Sequence, residues 1–220
     1  MHEWSFAREK WDECFAPVAQ LGYELERVDA ERYWKLHEEH MRVHFPPEVF
    51  FDVRALRTEQ ERVGQERIAE ATKDSRLQDF CVGRVHDSPV LFFSGEQRTG
   101  SMYRMWHTNI DPEHRRKGVY TAILKANIAY TAALGFDTIT SEHAPGNNAV
   151  LIAKLKAGFR IVGMDVDPLF GVSVVLKYFH NADHLATYQH RCGLATLNER
   201  IAKSGFGAFA QLREQLTSGD

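Results

Sequence analysis

The chain has 220 residues, with 27 Lys and Arg against 30 Asp and Glu, a formal net charge of -3 and 44% hydrophobic residues. That is enough for one core with extensions. The mildly acidic balance argues against broad electrostatic binding to nucleic acid, while leaving room for a local anion site. Cys14, Cys81 and Cys192 lie far apart with no CxxC pair, so neither a disulfide framework nor a zinc site is expected, and a reducing cytoplasm is the simplest compartment. No apolar run approaches the roughly 20 residues of a membrane span. The charged start, with Glu3, Arg8, Glu9 and Lys10, does not read as a signal peptide.

Residues 3–20 read as an amphipathic helix anchored by Trp4, Phe6, Trp11, Phe15 and Val18. Tyr23 to Val28 reads as a short strand, and Asp29 as the N-cap of a helix running to about His40. Phe45-Pro46-Pro47 breaks that helix, and Val49 to Leu56 is ambiguous between helix and strand. Residues 57–76 carry charges of both signs and predict a solvated helix, with Val63, Ile68 and Ala71 as sparse inner contacts.

Phe80 to His86 and Val90 to Ser94 read as strands, with turns at Asp87-Ser88-Pro89 and over residues 95–100. A third strand covers Tyr103 to Ile110 and stops at Asp111-Pro112, because proline has no N–H for a ladder. The apolar spacing then changes to three and four, predicting a helix from Val119 to Leu134 with Gly135 as its left-handed cap. Phe136 to Ser141 is the next strand, and strand–helix–strand order implies a right-handed crossover between parallel neighbours. Glu142 to Asn148 reads as a loop. A helix follows and ends at Ala157-Gly158, and a hairpin covers Phe159 to Val166 and Val172 to Phe179. Further helices are expected at Ala182 to Cys192, Ala195 to Ala202 and Phe206 to Leu216. The order is α/β or α+β.

The most informative stretch is 101–121. His114, Arg115, Arg116, Lys117 and Gly118 form a basic turn between a strand and a helix. A helix start carries unpaired N–H groups and partial positive charge, and glycine lets a ligand approach the backbone. Such a turn suits a phosphate.

Two motifs carry a resemblance. The first is Ile110-x-Pro112-x-x-Arg115-x-x-Gly118. The second, about forty residues on, is Asn147 or Asn148 followed by an apolar helix and Ala157-Gly158-Phe159. Together with the element order they resemble the GNAT superfamily of N-acetyltransferases over roughly 78–180. The resemblance implies a mixed, mostly antiparallel sheet flanked by helices, with a helical C-terminal extension. Residues 1–77 would be the N-terminal helical part, 78–180 the acetyl-coenzyme A-binding core and 181–220 the extension, within one structural domain.

It also implies roles. Acetyl-coenzyme A would be the co-substrate. Backbone at Thr108, Asn109 and Ile110 would pair with the pantetheine arm as an added strand does. Main-chain N–H groups from Arg116 through Lys117, Gly118, Val119, Tyr120 and Thr121 would hold the pyrophosphate, with Arg115, Arg116 and Lys117 supplying positive potential. Asn147 or Asn148 would bind the arm from the other side. The two strands flanking the arm would splay apart to admit it. Base candidates for deprotonating the amine are Glu142, His143 and His107. The partner would be a small-molecule amine, with no nucleic acid and no membrane; the C-terminal helices would cover the sheet, cover a groove or mediate a homodimer. No metal is expected, since His180, His184 and His190 lack a matching carboxylate or cysteine pattern.

Two positions depart from the family pattern. Tyr120 stands where a second small residue is usual, and Lys154 where many members place a tyrosine that protonates the leaving thiolate. Two other functions stay in view: a module that binds acyl-coenzyme A without turning it over, and an acyltransferase using a longer acyl donor.

Overall fold

The computed structural model describes residues 5–44, 55–72, 76–167 and 171–196. Contacts divide the chain into two compact units, Met1–Tyr178 and Phe179–Asp220.

The first unit is built on a seven-stranded sheet: β1 (Glu24–Arg27), β2 (Gln78–Val85), β3 (Ser88–Thr99), β4 (Met102–Ile110), β5 (Thr138–His143), β6 (Arg160–Asp167) and β7 (Gly171–Phe179), in the order β1-β2-β3-β4-β5-β7-β6. The pairs β1–β2, β2–β3, β3–β4 and β6–β7 are antiparallel, and β4–β5 is parallel. The meander followed by a crossover is the predicted topology.

Around β2, β3 and β4 the sheet is covered on both faces, and strand alternation sorts the side chains. Cys81, Leu91 and Phe93 point into one cluster with α1 (Ser5–Ala19) and α4 (Val119–Ala133). Phe80, Val82 and Phe92 point into the other with Tyr33 and Met41 from the region of α2 (Ala30–His40). Helix α1 buries Ala7, Trp11, Phe15 and Val18, spaced by four, four and three. Trp11 stacks on Phe15 and meets Tyr130 of α4 edge-on. Asp29 caps α2 as expected, its carboxylate accepting from the Arg32 N–H at 2.8 Å.

Several boundaries differ from the sequence reading. Strand β3 runs on through 95–99, which sequence alone marks as a turn. Gly95 is there because of packing: a Cβ at that position would run into the Tyr103 ring. The tight turns are His86–Asp87 and Gly100–Ser101, each joining directly paired strand ends, with positive φ at His86, Asp87 and Gly100. Strand β5 extends through Glu142 and His143, so these two residues lie on a strand and not in a loop. Helix α3 (Glu59–Thr72) buries nothing; Ile68 and Ala71 are exposed, leaving only Val63 half-buried among the three expected inner contacts. Trp4, 45–54 and the proposed helix at 206–216 lie outside the described residues, as does most of the one expected at 195–202, whose first two residues are not helical.

The second unit contains α6 (Ala182–Arg191), capped by Asn181 accepting from the Asp183 and His184 N–H groups. Phe179 stacks on Tyr188 at 5.3 Å.

Candidate active site at a strand fork

Strands β4 and β5 pair for only three residues: Met102 with Thr138, Tyr103 with Ile139 and Arg104 with Thr140. On its other edge β4 stays paired with β3 as far as Ile110 opposite Leu91. The β4 edge from Met105 to Ile110 therefore borders an opening fork. At its base the β3–β4 register steps from Ser94 opposite His107 to Gly95 opposite Met105, leaving Trp106 as an extra residue. Such a bulge bends and twists a strand. It also inverts the alternation. Tyr103 and Met105 belong to the α1–α4 core, and so does Ile110, while His107 and Asn109 turn to the α2 face.

The open end of the fork leads to the basic turn. Pro112–His114 forms a short 3-10 turn whose Asp111 cap accepts from the Glu113 N–H at 2.9 Å. Arg115 folds back, Nε donating to the Ile110 carbonyl at 2.9 Å, so this side chain ties the turn to the strand end. Arg116 (φ 60°) and Gly118 (φ 84°) are both left-handed. Gly118 is the N-cap of α4; among the described residues no side chain caps that helix, and none lies within 4 Å of a Cβ built at Gly118. Among those residues the helix start is thus uncapped and open to a ligand, with Arg116 and Lys117 exposed beside it. Tyr120 packs its ring against the main core cluster, so the bulky residue of the glycine motif folds inward. Val119 is buried and Thr121 exposed. Across the fork, Asn147 occupies the N-cap position of α5 (Asn148–Lys156) without a side-chain capping bond, and both Asn147 and Asn148 are exposed.

The base candidates occupy three different settings. Glu142 is clamped: Arg98 Nη1 donates to Oε1 at 2.7 Å and Arg104 Nε to Oε2 at 2.8 Å. Both carboxylate oxygens are thus engaged in charge-assisted bonds. His143 lies 2.5 Å from the Ser141 hydroxyl, and burial, aided by nearby Lys154, lowers its pKa to about 3. It is a neutral imidazole at neutral pH. His107 is also held neutral, at about 3, by burial with His37 and Arg104 adding to it. It faces α2, 3.3 Å from the Ser94 hydroxyl and edge-on to Trp34. Asn109 shares that face, its amide nitrogen 2.5 Å from His37 Nε2.

Lys154 is the residue that tertiary structure brings forward. It is 1% exposed, while Ile152 and Leu155 on the same helix are 52% and 38% exposed. The helix buries its lysine and shows two aliphatic side chains to solvent, the reverse of an ordinary amphipathic pattern. Nζ lies 3.4 Å from the Met105 sulfur and 4.7 Å from the Phe159 ring centre. Burial pulls its pKa down to about 7, against the charge of Glu142. The sequence signal was its spacing, three residues after half-buried Leu151, which puts both on one helix face.

A separate groove of about 820 Å³ runs along α1 and β1, lined by residues including Arg8, Asp12, Tyr23 and Arg27. None of the fork residues lines it. Strand edge, helix start and perturbed side chains converge at the fork, which makes it the candidate site.

The sequence matches no protein-family model and no curated protein. Solved structures do match. The ribosomal-protein-S18-alanine N-acetyltransferase from Escherichia coli superposes with a TM-score of 0.50 at 13% identity, over 71% of this chain and 93% of that one. An N-acetyltransferase from Staphylococcus aureus Mu50 gives 0.50 at 12%, over 71% and 98%. Ard1 from Thermoplasma volcanium gives 0.50 at 16%, over 71% and 97%. The fold is that of the GNAT N-acetyltransferases. At such identities the likeness is one of architecture.

Proposed function

We propose that the protein moves an acetyl group from acetyl-coenzyme A to a primary amine of a small molecule, by direct transfer within the fork. The observation that carries this reading is the three-residue β4–β5 pairing, which opens toward the uncapped start of α4. Thr108, Asn109 and Ile110 would offer backbone to the pantetheine arm. Gly118 and the N–H groups of Val119, Tyr120 and Thr121 would receive the pyrophosphate, with Arg116 and Lys117 beside it. Arg115 would act by holding the turn, and Asn147 or Asn148 by binding the arm from α5.

The amine nitrogen would attack the thioester carbon, with the negative charge that develops on the carbonyl oxygen stabilised by N–H groups of the unpaired β4 edge. The C–S bond then breaks with its electron pair on sulfur, and the proton that nitrogen loses as the amide forms ends on the thiolate, giving free thiol. The attacking amine must be neutral. His143, an uncharged imidazole at neutral pH beside the fork, would accept a hydrogen bond from the amine; with a pKa of about 3 it does not keep the proton of an incoming ammonium, which goes on to water. Glu142 is a positioning residue: it holds Arg98 and Arg104 and sets the field at Lys154.

Thiol release from acetyl-coenzyme A, measured against a panel of amines, tests the proposal. Release with at least one amine is expected. Binding of coenzyme A in calorimetry without release for any amine would favour a second reading, a non-catalytic acyl-coenzyme A-binding module. The replacement of the usual tyrosine by Lys154 favours that alternative.

A further inference from the structure

Lys154 has three donors and, among the described residues, one weak acceptor: the Met105 thioether. The titratable groups that face it are Glu142 and His143 of β5; β4 presents Met105, and the chain just beyond α5 presents the Phe159 ring. Glu142 is committed to two arginines, and no ion pair to Lys154 is found among the described residues. A buried ammonium without a carboxylate is costly, so the neutral amine is favoured. Met105 is also the first β4 residue beyond the last β4–β5 pair, which places Nζ at the base of the fork.

We infer that Lys154 is itself an acyl acceptor, and that a thioester lodged in the fork acylates its Nζ. This rests on the acyl-thioester reading of the fork. The neutral nitrogen forms an N–C bond to the thioester carbon, and the C–S bond breaks with its electron pair on sulfur. The proton lost by nitrogen goes to the thiolate, giving free thiol and an acyl-lysine. The acylated nitrogen can no longer take up a proton and become an unpaired buried ammonium, which favours the product. It also leaves a longer, neutral side chain at the fork base. Lys154 and the acceptor amine therefore compete for the same acyl group, and acylation in the absence of amine shuts the site. An amine half deprotonated near neutrality has an advantage over solvated lysines, of which only about one in a thousand or fewer is neutral at pH 7.

The full chain is incubated with acetyl-coenzyme A without amine, then subjected to intact mass measurement and peptide mapping. One hydroxylamine-resistant acetyl group is expected on Lys154, forming at least about tenfold faster than on exposed Lys125. Its rate should rise as pH passes through the neutral range, and it should slow when an accepted amine is added. Lys154→Arg and Lys154→Met should lack it. Lys154 left unlabelled while calorimetry shows coenzyme A binding would overturn the inference and spare the function. Failure to bind coenzyme A would remove the fork reading, and this inference with it.

Discussion

Asp79 and Lys154 are both ionisable side chains withdrawn from water, 0% and 1% exposed. The fold treats them differently. Asp79 accepts from Arg27 Nη2 at 2.8 Å, from the Tyr103 hydroxyl at 2.9 Å and from the Tyr130 hydroxyl at 3.2 Å. It joins β1, β2, β4 and α4 through one carboxylate. Lys154 meets a sulfur and a ring face. A buried charge whose partners are all supplied by the protein is part of the scaffold. A buried charge left without them, at the base of a fork, is paired by whatever enters the fork, or is neutral until it does.

The sharpest way to break this comparison is to remove one partner from each. Asp79→Ala should cost about 3 kcal/mol or more in urea unfolding, because it strands Arg27 and two buried hydroxyls. A loss below about 1 kcal/mol would show the network to be decorative. The same carboxylate carries a pH signature. Burial raises its pKa from 3.8 to about 6, against the pull of Arg27 and the tyrosines. Between those values the unfolded chain has released its proton and the folded one keeps it. Stability should therefore fall as pH rises from about 4 to about 6 and then level off. Asp79→Asn should flatten that fall, and an identical slope in the variant would assign it to other groups.

Gly118→Asp comes next. It puts bulk and negative charge where phosphate is expected and a side chain at φ 84°. Coenzyme A binding should weaken by roughly 100-fold, since opposed like charges cost several kcal/mol. Gly118→Ala, with the strain and without the charge, should lose less. Equal losses would point to a folding defect instead of an anion site.

Lys154→Met should change stability by less than about 1.5 kcal/mol in either direction, an aliphatic side chain replacing an unpaired cation of similar length. A loss as large as that of Asp79→Ala would mean that Lys154 is scaffold after all. The smallest effect is expected from Glu142→Gln. Its ion pairs are partly exposed, so unfolding should shift by about 1 kcal/mol or less. Glu142 raises the Lys154 pKa, so the variant should move the pH dependence of Lys154 acylation to lower pH. An unmoved profile would disconnect the two residues.

The parts of the fold that follow local rules were legible in the sequence. The Asp29 cap, the helix from Val119 with Gly135 behind it and the Asn147 to Phe159 segment all depend on contacts a few residues apart. Turn positions were less so. Gly95 looks like a turn glycine and is a strand residue cleared for the Tyr103 ring. Glu142 and His143 look like loop residues after a strand and are its last two positions. The clamp on Glu142 by Arg98 and Arg104 joins residues 44 and 38 apart in sequence, beyond the reach of periodicity.

The sequence by itself determined the element order, the basic turn and the glycine that frees the start of α4, because backbone conformation and helix initiation are set by neighbouring residues. Only the tertiary structure decided that β4 and β5 part after three pairs, that Trp106 is bulged, and that Tyr120 folds inward. Only it decided that α5 buries Lys154 and exposes Ile152 and Leu155. Burial and pairing are properties of what surrounds a side chain, and those surroundings come from distant parts of the chain.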